Sequence, residues 1–353
     1  MNKYWSRLAQ GLEPYTPGEQ PRERRYIKLN TNENPYGPSP RVQEAIRAAA
    51  DDSLRLYPDF TCDTLICAAA EGYGVKKEQI FAGNGSDEVL AFSFMAFFDP
   101  GRTIVFPNIT YSFYPVYAKL FNLDYITTPL DSEFNIPSEQ WMQSSGGIII
   151  ANPNAPTGKA LPISAIRRVL DGNPDTVVIV DEAYIDYGGE SAVGLIDEYP
   201  NLLVVQTFSK SRSLAGMRIG FAFGDKELIK ALESVKNSFN SYTLDRLAII
   251  AGSEALKDAS YYKGITEKII ATREHFVLEL RGRDFYVTES AANFVFVSHK
   301  TVRAEKIFME LRNRGILVRY FKKPVIDNHL RISIGTDAEM ASVIEALDQI
   351  LKA

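Results

Sequence analysis

The chain has 353 residues, 45% hydrophobic and 24% charged, the composition of an ordinary globular protein long enough for two cores. Its formal net charge of -5 supplies no basic field for nucleic acid or an anionic membrane, and no apolar window approaches a membrane span. Two cysteines, Cys62 and Cys67, and three histidines exclude a disulfide framework and a histidine–cysteine zinc cluster.

The first twenty residues carry Arg7, Glu13, Pro14 and Pro17 and no apolar core, so no signal peptide is expected and the cytoplasm is the expected compartment. The first thirty read as an irregular arm rich in Pro, Gly, Arg and Glu. The turn-dense Asn30-Thr31-Asn32-Glu33-Asn34-Pro35-Tyr36-Gly37-Pro38-Ser39-Pro40 then closes on a helix, with Ser39 as cap and Pro40 at its first position. From about residue 64 to 224, helical and strand patterns alternate. Strands are predicted at 79–82, 103–106, 147–151, 177–180, 202–206 and 219–223, with helices such as 86–98 and 164–170 between several of them. This is the pattern of an α/β fold, a mostly parallel sheet sandwiched by helices. Helix is predicted over 226–239 and onward to 281. A strand at 294–297, a helix at 304–313, strands at 317–320 and 330–334 and a final helix from 337 form a compact α+β unit. The expected organisation is an arm over 1–39, a large domain over 40–250 and a small domain over 251–353, with the arm joining the small domain.

Chemistry concentrates in Thr207-Phe208-Ser209-Lys210-Ser211-Arg212-Ser213-Leu214-Ala215-Gly216-Met217-Arg218, which lies between two apolar runs. Hydroxyls, a lysine and, eight residues on, an arginine are what a site needs to hold a phosphate and form a Schiff base. Upstream, the run at 177–180 ends in Asp181-Glu182-Ala183-Tyr184. A carboxylate there can keep a pyridine nitrogen protonated, and a phenol three residues on can bond the ring's oxygen. Lysine and aspartate together point to pyridoxal phosphate, with Lys210 as the covalent lysine and the base at Cα. Gly83-Asn84-Gly85-Ser86-Asp87-Glu88 opens a helix whose free amides suit an anion; alone it reads equally as a capped turn. Arg218 and Ser209 would complete the phosphate contacts. Tyr111 could stack on the ring or be a core aromatic, and Tyr57 is similarly open. Arg331, inside the apolar Leu330-Arg331-Ile332-Ser333-Ile334, needs an anionic partner if buried, and Arg319 is a second cation of the same unit.

Together these residues resemble the class I/II aminotransferases of fold-type I, the pyridoxal 5'-phosphate family, and more narrowly the histidinol-phosphate aminotransferase subfamily. The resemblance runs from Pro14-Tyr15 to Gly335-Thr336. It rests most on the Asn-Glu-Asn-Pro-Tyr-Gly-Pro-Ser-Pro arm, Gly-Asn-Gly-Ser-Asp-Glu, the Ser-Lys loop and Val-Arg-Tyr-Phe before Leu-Arg-Ile-Ser-Ile-Gly-Thr. It implies that Lys210 is the Schiff-base lysine, Asp181 the pyridinium partner, Tyr184 the contact to the ring oxygen and Tyr111 the stacking ring. Gly85, Ser86, Asp87, Ser209 and Arg218 would hold the phosphate. Tyr57 would reach the neighbouring site of a homodimer, and the arm would join its interface. Arg331, Arg319 and Tyr15 would bind substrate. The implied reaction is transamination between histidinol phosphate and 2-oxoglutarate, or imidazole-acetol phosphate and glutamate, in histidine biosynthesis. An aromatic amino acid aminotransferase and a threonine-phosphate decarboxylase-like lyase share these features. The chain departs from the family at Ala155, in Asn152-Pro153-Asn154-Ala155-Pro156-Thr157-Gly158, where an asparagine usually bonds the ring oxygen. Asn152, then Asn154, are the candidate substitutes.

Overall fold

Six apolar runs and one exposed edge strand form a seven-stranded sheet, in the order Ile80–Asn84, Ile219–Gly224, Leu202–Thr207, Val178–Asp181, Gly147–Ala151, Ile104–Pro107 and Tyr125–Thr128. The computed structural model describes residues 3–21, 23–141 and 146–352. All pairings are parallel except those of Ile219–Gly224, which runs antiparallel to both neighbours. The two-residue period of the strands sends Ile148, Ile150, Val178, Val180 and Val204 into one core and Ile149, Ile179, Leu203 and Val205 into another on the opposite face. With both faces covered by helices, the central strands are buried throughout, which is why they read as unbroken apolar runs.

A second, four-stranded antiparallel sheet has the order Arg319–Tyr320, Leu330–Ser333, Phe294–His299, Phe285–Val287. Its own core includes Val295, Val297, Ile332 and Leu347. The helix Ala259–Arg281 ties the two cores together: Tyr262 packs in the larger, while Ile265, Ile269, Phe276 and Leu280 pack in the smaller.

Three strands escaped the sequence reading. Tyr125–Thr128 is an edge strand with three of its four residues exposed, so it carries no apolar run. Phe285–Val287 has only three residues. The third corrects the irregular arm: Ile27–Lys28 pairs in parallel with Ile316–Leu317, and Leu29 enters the smaller core. The arm also contains the short helix Arg7–Gly11, capped by Ser6. The strand expected at 317–320 is divided, its start pairing with the arm and Arg319–Tyr320 with Leu330–Ser333.

One close approach fixes the active end of the large sheet. Gly220 packs so tightly on the start of the helix Gly85–Phe97 that a Cβ there would lie 2.5 Å from the Ser86 nitrogen. Both sides of that contact are backbone, so neither can swing away. Gly220→Ala should therefore destabilise the protein by about 2–3 kcal/mol in urea unfolding, as overpacking against main chain does. An unchanged midpoint would show that the two segments separate freely.

Candidate active site

The parallel strands Gly147–Ala151, Val178–Asp181 and Leu202–Thr207 end together, with Ala151 opposite Asp181 and Asp181 opposite Val205. Their carboxyl ends open on a cavity lined by Thr31, Ser86, Tyr111, Asp181, Lys210 and Arg218, among others. Crevices of α/β sheets form at this end. Asp181 is 5% exposed. It accepts hydrogen bonds from the Tyr114 hydroxyl at 2.7 Å and the Ala183 N–H at 3.2 Å, and makes no ion pair among the described residues. Burial pushes its carboxyl up to about 6, against those two hydrogen bonds. The Tyr114 phenol is itself held well above its ordinary value by burial and by Asp181, so it donates throughout the neutral range. Lys210 leaves the buried Ser209 and reaches back across the cavity, where its Nζ donates to the Thr31 carbonyl at 3.1 Å. That Nζ lies 5.7 Å from the centre of the Tyr184 ring.

One wall is built to hold an anion. Gly85 has φ +77°, and a Cβ there would strike the Arg218 guanidinium carbon at 2.8 Å. The amides that open the Gly85–Phe97 helix have no acceptors within the helix, and its dipole favours negative charge there. Arg218, in the left-handed region at φ 52°, donates to Asp87 at 3.1 Å and to the Ser209 hydroxyl at 3.3 Å. Asp87 also accepts from Tyr111 at 2.7 Å, which sets that ring's orientation.

A second cavity adjoins the first through Thr31, Tyr111, Ala155, Tyr184 and Lys210. It adds Tyr15, Asn30, Arg319, Phe321 and Arg331. Arg331 donates from Nη2 to the Asn30 carbonyl at 2.9 Å, but its buried Nε has no partner and no carboxylate pairs with it among the described residues. Burial lowers its pKa, and its surroundings are Arg319 and the phenols of Tyr184, Tyr15 and Tyr111. Arg319 is tied to the arm through the Thr16 carbonyl at 3.1 Å, and Tyr15 stacks on Phe113 with centroids 4.5 Å apart.

The two cavities thus gather Lys210, Asp181, Tyr184, Ser86, Asp87, Tyr111, Ser209, Arg218, Tyr15, Arg319 and Arg331, with Gly85 against Arg218. Three expected residues stand apart. Asn152 spends both ends of its amide on the backbone of Leu161, accepting at 2.7 Å and donating at 3.2 Å. Asn154 donates to the Ile109 carbonyl at 2.9 Å and to Thr157 at 3.1 Å. Neither lines the cavity, whereas Ala151, Pro153 and Ala155 do. Tyr57 is 78% exposed and stacks on Tyr242, outside both cavities of its own chain. Sequence reasoning missed Tyr114, one of eighteen tyrosines and the phenol on Asp181. It also assigned no role to Asn32, whose side-chain amide donates to the Tyr184 hydroxyl at 2.9 Å.

The aminotransferase class I and II family model matches residues 24–347. A histidinol-phosphate aminotransferase of Clostridium acetobutylicum is 58% identical over 351 residues, covering 99% of this chain and 100% of that protein. Histidinol-phosphate aminotransferase 1 of Oceanobacillus iheyensis is 56% identical over 352 residues, covering 100% and 99%. Among solved structures, histidinol-phosphate aminotransferase from Sinorhizobium meliloti in complex with pyridoxal-5'-phosphate superposes with a TM-score of 0.89 over 100% of this chain and 98% of that one. At 24% identity that likeness is one of fold.

The raised Asp181 carboxyl has a consequence for the ligand-free protein. The folded state holds its proton more tightly than the unfolded chain does, so this stability is complete below about pH 4 and is lost as the pH rises through about 6. Asp181→Asn should raise the thermal midpoint at pH 8 and flatten the pH 4–6 decline; a lower midpoint at pH 8 would contradict the burial argument.

Proposed function

The chain belongs to the class I and II aminotransferases, and on that premise we propose that it is a pyridoxal-phosphate-dependent transaminase acting on histidinol phosphate in histidine biosynthesis, with glutamate and 2-oxoglutarate as the exchanging pair. The observation that carries the reading is the place of Lys210, at the junction of a cavity with a buried carboxylate and an anion cradle and a second cavity with two arginines.

The residues fit the cofactor. Asp181 is a buried carboxylate in need of a cation, which a protonated ring nitrogen provides. The Gly85–Asp87 turn leaves no room for a Cβ, and with Ser209 and Arg218 it suits a phosphate. When bound, pyridoxal phosphate supplies a carbonyl that combines with amines and a ring that withdraws electrons from the substrate's Cα. The chain supplies the rest. Asp181 keeps the ring nitrogen protonated, itself steadied by Tyr114. The Tyr184 hydroxyl would meet the ring oxygen, and Tyr111, held by Asp87, would cover the ring face. Lys210, whose Nζ meets the Thr31 carbonyl, would be the base that takes the proton from Cα and the acid that returns it at the neighbouring carbon. Arg331 receives the α-carboxylate of glutamate and, with Arg319 and Tyr15, the phosphate of histidinol phosphate.

Tyr57 belongs to the same proposal. Leu54, Leu56, Tyr57, Phe60 and Tyr242 are all exposed, and Tyr242 meets the rings of both Tyr57 and Phe60. A homodimer would cover them and carry Tyr57 to the phosphate of the other subunit. Among the described residues no helix is long and apolar enough to cross a membrane, and we place the enzyme in the cytoplasm.

The reading is tested on purified protein loaded with cofactor. Histidinol phosphate should convert the visible band of the bound cofactor, and Lys210→Ala should lose that band's wild-type form. Conversion by phenylalanine at an equal rate would make the enzyme a broad aromatic transaminase, and carbon dioxide release from threonine phosphate would make it a lyase. Arg319→Ala should lower kcat/KM for histidinol phosphate by roughly 10- to 100-fold, the worth of one charge-assisted contact, with little effect on phenylalanine. Equal losses on both would remove Arg319 from phosphate recognition. Tyr57→Phe should weaken cofactor binding by roughly tenfold and leave the dimer intact in light scattering; unchanged affinity would take Tyr57 out of the neighbouring site.

A further inference from the structure

With Ala155 in place of the expected asparagine, and Asn152 and Asn154 engaged elsewhere, Tyr184 is the phenol left to meet the ring oxygen. A phenol has one proton, and whether it points into the cavity depends on what else the oxygen meets. Asn32 decides this. It is buried at 1% exposure and held at φ 57°, a left-handed conformation that asparagine tolerates.

Its amide orientation follows from its neighbours. The Asn32 N–H donates to the Ser333 hydroxyl at 2.9 Å, and that hydroxyl in turn donates to Asn32 Oδ1 at 2.8 Å. The Asn32 carbonyl accepts from Asn293 at 3.0 Å. With Oδ1 claimed by Ser333, the NH2 group is the end left for Tyr184, and it donates to the phenol oxygen at 2.9 Å. An oxygen that accepts from Asn32 cannot also spend its proton on Asn32, so the Tyr184 proton is free for the cavity. Accepting that bond also polarises the phenol and strengthens it as a donor.

We propose that Asn32 is a positioning residue that commits the Tyr184 hydroxyl to donate to the cofactor's ring oxygen, so that one phenol serves where the family uses a phenol and an asparagine. This rests on the assignment of Tyr184 to that oxygen. A donor there stabilises the oxygen's negative charge and makes the proton shared with the Lys210 nitrogen easier to lose. Asn32→Asp reverses the polarity: a carboxylate accepts the phenol's proton and turns it from the cavity.

The test uses the full-length protein reloaded with pyridoxal phosphate, and reads the pH at which the visible band of the bound cofactor changes form, together with the dissociation constant for reloading. Tyr184→Phe should raise that pH by roughly one unit, the worth of one charge-assisted hydrogen bond. Asn32→Asp should raise it by a similar amount and add little in the Tyr184→Phe background. Asn32→Gly, which adopts the left-handed conformation without strain, should give a smaller rise. Wild-type titrations in both Asn32 variants, with Tyr184→Phe shifted, would overturn the proposal. So would an Asn32→Asp shift undiminished in the Tyr184→Phe background, because the added charge alone would then explain it. An unshifted Tyr184→Phe would instead remove Tyr184 from the ring oxygen, and the role of Asn32 with it.

Discussion

The site is organised by two charges, Asp181 and Arg331, that have no counter-ions among the described residues. Asp181 ends a fully buried strand with a phenol and one N–H for company. Arg331 faces a second cation and three phenols. Leaving a buried charge unpaired costs several kcal/mol, a large share of a domain's net stability; Asp181 stands in that position, while the half-buried Arg331 is offset in part by the Asn30 carbonyl and the faces of Phe294 and Phe321. A ligand carrying a cationic ring nitrogen at one end and bringing an anionic substrate to the other removes both penalties. The cavities are joined, and Lys210 stands where they meet. The cost carried by the empty protein thus becomes selectivity for what fills it.

The large sheet makes this possible through rigidity. Asp181 is fixed by strands on both sides, and the antiparallel strand Ile219–Gly224 brings Arg218 to the end of the parallel set, against Gly85. Gly220 and Gly85 allow backbone and guanidinium to approach closer than any side chain would permit, so the anion cradle is formed before a ligand arrives. The small sheet and the arm supply the other half. Leu330–Ser333 carries both Arg331 and Ser333, whose hydroxyl orients Asn32, and the strand Ile27–Lys28 fastens the arm beside it. In the proposed reading, substrate recognition and the setting of Tyr184 therefore share one strand.

Much of this was legible in the amino-acid sequence, for a physical reason. Strands covered on both faces must be apolar throughout, so the central strands were found within a residue or two of their ends. The polar groups just beyond them, Asp181, Ser209 and Lys210, stood out against that background. What was not legible depends on tertiary contact. Tyr114 is one aromatic among many until the fold sets its hydroxyl on Asp181. Tyr125–Thr128 is too exposed to show a strand pattern. Asn152 and Asn154 have the right chemistry at nearly the right place, but short amide side chains bond readily to nearby backbone, and the Leu161 and Ile109 main chains claim them. Asn32 belongs to the Asn-Glu-Asn-Pro motif, but the sequence shows no role for it, since its proposed role comes from Ser333, distant in sequence.

In the proposed reading Asp181 awaits a cation, and the ring nitrogen of the bound cofactor is that cation. The direct measurement is nitrogen NMR of the protein loaded with pyridoxal phosphate labelled with 15N in the ring, followed from about pH 6 to pH 9. A protonated nitrogen is expected across that range in the wild type and a neutral one in Asp181→Asn. A neutral ring nitrogen in the wild type would contradict it.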